Sequence, residues 1–187
     1  MSGGFVPVSR ITGDLTDGSI DVYFGLAKTP QREKDFGFVG ELFTTRYQIL
    51  ARKGDPALAF MTPEDVKASG IPVMVIRGSA QANYFEKTAG FPVEEAPASV
   101  EAALRQLKAG NGQLFGYYDL GNDWFLDNLG FRGSLAPVPV SFGTDGQWLC
   151  VSKTLPAATV KKLGQALEAL KKSPEWAAVM KKYFPGR

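Results

Sequence analysis

Apolar positions along the chain fall into short strand-like runs that alternate with stretches of helical period. SIDVYFGL, residues 19–26, is mostly apolar, β-branched and aromatic, and predicts a strand. RYQILARKG, IPVMVIRG, QLFGYYDL and GQWLCVSK predict four more, and the two prolines of APVPVSF make that stretch extended rather than helical. TPEDVKAS predicts a short helix with Thr62 as cap, Pro63 at its first position and Asp65 at its third. SAQANYFEKTAG predicts a helix capped by Ser79 and stopped by Gly90. The clearest helix is SVEAALRQLKAG, where Val100, Ala103, Leu104 and Leu107 share one face between Ser99 and Gly110. NDWFLDNL predicts another short helix. Two helices close the chain, one from Pro156 showing Val160, Leu163, Leu167 and Leu170, one capped at Ser173-Pro174 showing Trp176, Val179, Met180 and Tyr183.

Strand–helix alternation implies an α/β fold with mainly parallel strands. A chain of 187 residues suffices for one domain or two small lobes with a real core. Its 44% apolar and 21% charged residues are those of a globular protein, and a net charge of +2 gives no footprint for nucleic acid. The longest apolar run, residues 71–76, is far short of the roughly 20 residues that span a bilayer, so no membrane insertion is expected. The opening MSGGFVPVSR lacks the pattern of a signal peptide. The sequence has no histidine, which excludes Ser-His triads and His-metal sites. The single cysteine, Cys150, excludes an intramolecular disulfide and reads as a buried structural thiol. No glycine-rich nucleotide loop occurs.

Three places can carry chemistry. In GLAKTPQR, residues 25–32, a strand ends and the chain turns through Ala27 to Arg32; an arginine there can grip a carboxylate bidentately, or pair at the surface with Glu33 or Asp35. In RGSAQ, residues 77–81, free amides at a helix start can bind an anion, or Ser79 simply caps the helix. In GYYDLGND, residues 116–123, Asp119 can receive an ammonium beside an aromatic wall from Tyr117 or Tyr118, or cap a helix starting near Asn122.

Together these describe a zwitterion site, and here the sequence resembles the type II periplasmic solute-binding proteins of family 3, which serve amino-acid ABC transporters. The resemblance runs from about Leu15 to Phe184, through LTDGSIDVYFGLAKTPQREKDFGFVGELFTTRYQILARKGDP, VIRGSA, SVEAALRQLKAGNGQLFGYYD and ALEALKKSPEWAAVMKKYF. It implies a type II periplasmic-binding-protein-like α/β fold of two lobes: residues 1–45 completed by 143–187, and residues 46–142, with ligand in the cleft. Arg32 matches the family arginine for the α-carboxylate, Gly25 and Ala27 the loop before it, Ser79 and Ala80 the second lobe's helix start, and Asp119 the acid for the α-amine. Ala27 departs from the usual Ser or Thr. The family's leading strand–helix–strand unit has no counterpart here, so the first lobe is expected to be truncated.

The reading is a solute-binding module for amino acids or similar small zwitterions in ABC-type uptake, periplasmic, without cofactor or metal, with a transporter permease as partner. The alternatives are an enzyme on the same fold, similar to cyclohexadienyl dehydratase with Asp119 or Glu95 as acid or base, or a sensor or assembly module with a vestigial cleft. Strand 20–25 reads as apolar on both faces, the mark of a strand inside a parallel sheet. With the apolar faces of the last two helices, it predicts a homo-oligomer formed through residues 5–45 and 156–184.

Overall fold

The computed structural model describes residues 6–184. The opening segment, read above for signal-peptide pattern, lies outside them through residue 5. The chain divides into two compact units: a middle unit, Thr45–Asp145 with the chain up to Arg10, and a split unit, Ile11–Thr44 with the chain from Gly146 on.

The middle unit is built on strands β2 (Gly37–Arg52, of which the part from Thr45 belongs here), β3 (Val73–Ile76), β4 (Val93–Ala96), β5 (Leu114–Tyr118) and β6 (Leu135–Pro137). β3 pairs in parallel with β4 and with β5, as the alternating pattern requires. β2 runs antiparallel to β5, with Tyr47 opposite Tyr118, and antiparallel to β6. Antiparallel neighbours need no crossover helix, so the strand that brings the chain into the unit is free of the parallel rule. β4, with Glu94 and Glu95 exposed between apolar ends, was not foreseen.

Helix α3 (Pro63–Ser69) begins in a reciprocal capping box between Thr62 and Asp65 and ends at Gly70 in the left-handed region. Helix α5 (Val100–Ala109) buries the four residues its period selects, accepts the Ala102 amide on Ser99, and stops at Gly110. The segment expected as one helix over 79–90 splits into α4 (Ala80–Asn83) and a π-helical turn, Tyr84–Thr88. The wider turn delivers Phe85, fully buried, onto β5, where it leaves no room for a side chain at Gly116: a Cβ there would sit 2.4 Å from the Phe85 ring. Helix α6 (Asp119–Asn128) starts three residues earlier than the sequence pattern suggests. Two apolar cores flank this sheet, one around Phe85, Ile49 and Val75, the other around Phe115, Leu104 and Leu50.

The split unit holds α1 (Val8–Asp17, from Ile11), β1 (Val22–Ala27), α2 (Pro30–Asp35), the first half of β2, β7 (Thr144–Val151, from Gly146), α7 (Ala157–Lys171) and α8 (Pro174–Tyr183). β7 lies between β1 and β2. α7 crosses β2 where Gly40 lacks a side chain: a Cβ there would stand 2.8 Å from Leu167, the buried residue of α7. Ser173 caps α8 by accepting the Trp176 amide, and Phe184 beyond it packs on Phe43 at 5.0 Å.

The expectation that the first strand is buried on both faces in parallel pairing is corrected. β1 runs antiparallel to β7, from Val22 opposite Val151 to Ala27 opposite Gln147. Gly25 is an extra residue between the pairs Phe24–Leu149 and Leu26–Trp148. It therefore sets Phe24 on the same face as Ala27 rather than Leu26. Phe24 is left 64% exposed while Leu26 and Ala27 are buried. Among the described residues, no helix is long and apolar enough to cross a membrane.

Candidate functional site

In the split unit the local chain geometry brings Gly25, Ala27 and Arg32 together. Gly25 has φ +91°, a left-handed conformation that costs a residue with a Cβ about 1–2 kcal/mol. The bulge aims the end of β1 so that Ala27 is buried at the strand's last position. Thr29 then caps α2, taking the Arg32 amide on its hydroxyl at 3.3 Å, with Pro30 preset for the first helical position. One turn in, Arg32 folds back: its Nη1 donates to the Ala27 carbonyl at 2.8 Å, and the residue is only 8% exposed. The surface role weighed for Arg32 is taken by others: Glu33 pairs with Lys28 at 2.7 Å, and Asp35 accepts from Gln31. Lys28 also lies over the Trp148 and Phe38 rings at 5.1 and 5.7 Å. Burial pushes the Cys150 thiol up to about 12, against an opposing pull from the Arg32 charge, so it is a protonated, inert neighbour.

In the middle unit, Ser79 and Ala80 follow β3, and Tyr118 and Asp119 end β5. Because β3 and β5 are adjacent and parallel, both pairs stand at the same carboxyl edge of the sheet, where open α/β sheets hold their ligands. α4 packs on both strands. Ser79 caps α4, accepting the Ala82 amide at 3.1 Å, and its own amide goes to the Ile76 carbonyl. The Ala80 and Gln81 amides have no acceptor among the described residues.

Asp119 is 5% exposed. Its Oδ1 accepts the Arg46 amide at 3.1 Å and the Leu120 amide at 2.8 Å. It is thus the first residue of α6, oriented by backbone on both sides, rather than the cap of a later helix. Tyr118 is less a bare wall than expected: its hydroxyl donates to Asp145 Oδ2 at 2.7 Å. The Tyr47 hydroxyl donates to the same oxygen at 2.7 Å. Burial, and then the Asp145 carboxylate, push the Tyr47 phenol far above its ordinary range, which keeps it a donor. Glu95, the other candidate acid, is exposed and faces Arg77 at 3.6 Å.

Sequence reasoning missed Gln81. The residue is 4% exposed. The signal was its place in RGSAQ, two residues past the capping serine. Asn122 was also passed over: fully buried, it donates to Gln48 at 2.9 Å and leaves its Oδ1 without a partner among the described residues.

Residues 5–186 match the family model of the bacterial extracellular solute-binding proteins, family 3. No curated protein matches the sequence. Among solved structures, an ancestral arginine-binding protein bound to glutamine superposes with a TM-score of 0.81 at 23% identity, over 97% of this chain and 78% of that one. The substrate binding protein of an amino acid ABC transporter gives 0.80 at 16% identity, over 97% and 78%. A histidine kinase sensor domain with similarity to periplasmic binding proteins gives 0.81 at 21% identity, over 96% and 76%. At these identities the superpositions speak for the fold.

Proposed function

Because the chain belongs to the bacterial extracellular solute-binding proteins of family 3, we propose that it binds an amino acid or similar small zwitterion for ABC-type uptake, outside the cytoplasmic membrane and with a transporter permease as partner. One observation carries the reading: two buried charges of opposite sign, Arg32 and Asp119, each stand at the end of a strand with a backbone hydrogen bond fixing their direction. Arg32 takes the ligand carboxylate, with the loop at Gly25 and Ala27 beneath it. The free Ala80 amide after Ser79 adds a donor, which matters because Ala27 has no hydroxyl to give. Asp119 takes the ammonium, its Oδ1 already turned by the Arg46 amide, and the Tyr118 ring stands beside it. In this reading the ligand is held and released unchanged.

Calorimetry against a panel of amino acids tests this. Arg32→Ala removes charge-assisted hydrogen bonds of roughly 1.5–3 kcal/mol, so affinity falls about tenfold to over a hundredfold. Asp119→Asn weakens amino acids and spares ligands without an amine. Wild-type binding that Arg32→Ala leaves unchanged overturns the assignment. Turnover of prephenate or arogenate by the wild type would favour the enzymatic alternative. The sensor domain's similar fold supports a second reading, a sensor module with a vestigial cleft.

A further inference from the structure

The middle unit is entered by β2 at Thr45 and left by β7 at Asp145. Both places are tied to each other and to the ligand end of the sheet. The Thr45 hydroxyl donates to the Asp145 carbonyl at 3.2 Å, and the Tyr47 amide donates to the Gly143 carbonyl at 3.0 Å. The Gly143 amide donates to the Tyr84 hydroxyl at 2.8 Å, and the Tyr84 ring stacks on Tyr47 at 3.8 Å, 8° from parallel. One carboxylate oxygen, Asp145 Oδ2, then gathers the hydroxyls of Tyr47 and Tyr118. Between Thr45 and Tyr47 lies Arg46, whose amide holds Asp119; directly after Tyr118 comes Asp119 itself.

We propose that Tyr47, Tyr118 and Asp145 form a positioning clamp for Asp119. The clamp draws β2 and β5 onto one anchor, so the Arg46 amide and the Asp119 carboxylate meet at a fixed separation and angle. Its hydroxyls and its carboxylate touch no ligand; of the three residues only the Tyr118 ring stands beside the ammonium. Two phenols on one carboxylate oxygen are not needed to fill space, since phenylalanine rings fill it equally well. What the hydroxyls add is direction, because hydrogen bonds weaken steeply off axis. Asp145 lies on β7, so the same anchor holds β2 and β7 near the points where the chain enters and leaves the middle unit, and loosening it disturbs Asp119 and those points together. For ligand affinity the clamp rests on the binding function proposed above; for the backbone geometry it does not.

The experiment uses the full chain as wild type, Tyr47→Phe, Tyr118→Phe, Asp145→Asn and Asp145→Leu, with two readouts. The first is hydrogen exchange at the Arg46 amide, referred to the β3 amides of Val73–Ile76. The second is amino-acid affinity by calorimetry. Tyr118→Phe and Asp145→Leu are expected to speed Arg46 exchange about tenfold while β3 exchange holds, and to weaken binding by a similar factor. Asp145→Asn, which still offers an oxygen to both phenols, is expected to restore both readouts towards wild type. The loss from Tyr118→Phe should also be largely absent in an Asp119→Asn background. An Arg46 amide unprotected in the wild type, or unchanged in Tyr118→Phe, overturns the clamp. If Asp145→Leu does not fold, Tyr118→Phe, which keeps its ring, decides. Should the wild type bind no amino acid, the proposed function fails, and Arg46 exchange still decides the clamp.

Discussion

The middle unit contains both apolar cores, with rings such as Phe85 and Phe115 wholly out of water. The split unit, with fewer residues, buries Phe36, Leu149 and Leu167 and leaves Phe24, Leu170, Val179 and Tyr183 exposed, while the middle unit exposes Met61 and Trp124. α8 has no buried residue at all within its span. The difference is in closure. In the middle unit α4, α5 and α6 pack on β5, a strand paired on both sides by β2 and β3, whereas β1 in the split unit is an edge paired through β7 alone among the described residues. Free energy from burial scales with apolar area removed from water, at about 25 cal/mol per Å². The split unit therefore gains less from its own residues and has more to gain from a covering surface.

The largest effect should come from Phe85→Ala. It empties a site ringed by Tyr47, Phe91 and Phe142, at a cost of about 3–5 kcal/mol in denaturant unfolding. Leu170→Ala should cost under about 1 kcal/mol, since little of its side chain leaves water. A large cost at Leu170 would break the comparison and indicate a covered face. The self-association expected through residues 5–45 and 156–184 would supply such a cover, and light scattering tests it: a compact monomer at micromolar concentration refutes it.

Two glycines should respond with opposite signs. Gly116→Ala forces a methyl into the Phe85 ring and should destabilise by about 1–3 kcal/mol. Gly164→Ala, inside α7, meets Val39 at an ordinary 3.5 Å and should stabilise by up to about 1 kcal/mol through helix propensity. Equal melting shifts in the same direction would show that the split unit is packed as tightly as the middle one.

A further effect is alkaline. Burial raises the Cys150 thiol from 9.0 to about 12, so the folded chain keeps a proton that the unfolded chain gives up. That stabilisation is present below about pH 9 and is lost as pH rises through 12. Cys150→Ala should flatten this part of the stability profile, while the part due to Tyr47, raised in the same direction, remains. An unchanged alkaline slope would mean that the thiol is not buried in solution.

Several elements were legible residue by residue. α5 carries its cap, its four-residue face and its glycine stop in consecutive sequence, and α3 carries its capping box. β2 was seen only from residue 46, whereas the strand begins at Gly37. Gly40 is there to admit Leu167 from a helix more than 120 positions later, which no local window contains. α1 was not foreseen, since Ile11 and Leu15 are its buried residues and a single apolar pair sets no period. At the candidate site, Arg32 was picked out by its distance from a strand end, but its fold-back onto Ala27 was not.

By itself the sequence determined the alternation of strands and helices, the caps and stops, the absence of histidine chemistry, and the placement of an arginine and an acid just after strands. These follow from neighbours within a turn or two, where side-chain period and backbone preference act. Only the tertiary structure decided that Phe24 faces water, that the helix at 80 breaks into a π turn, and that Asp145 collects two tyrosines. Each of those depends on residues 27 to 125 positions apart meeting across a sheet. Such meetings are fixed by strand register and by the space left between packed layers, neither of which is written in any short stretch of chain.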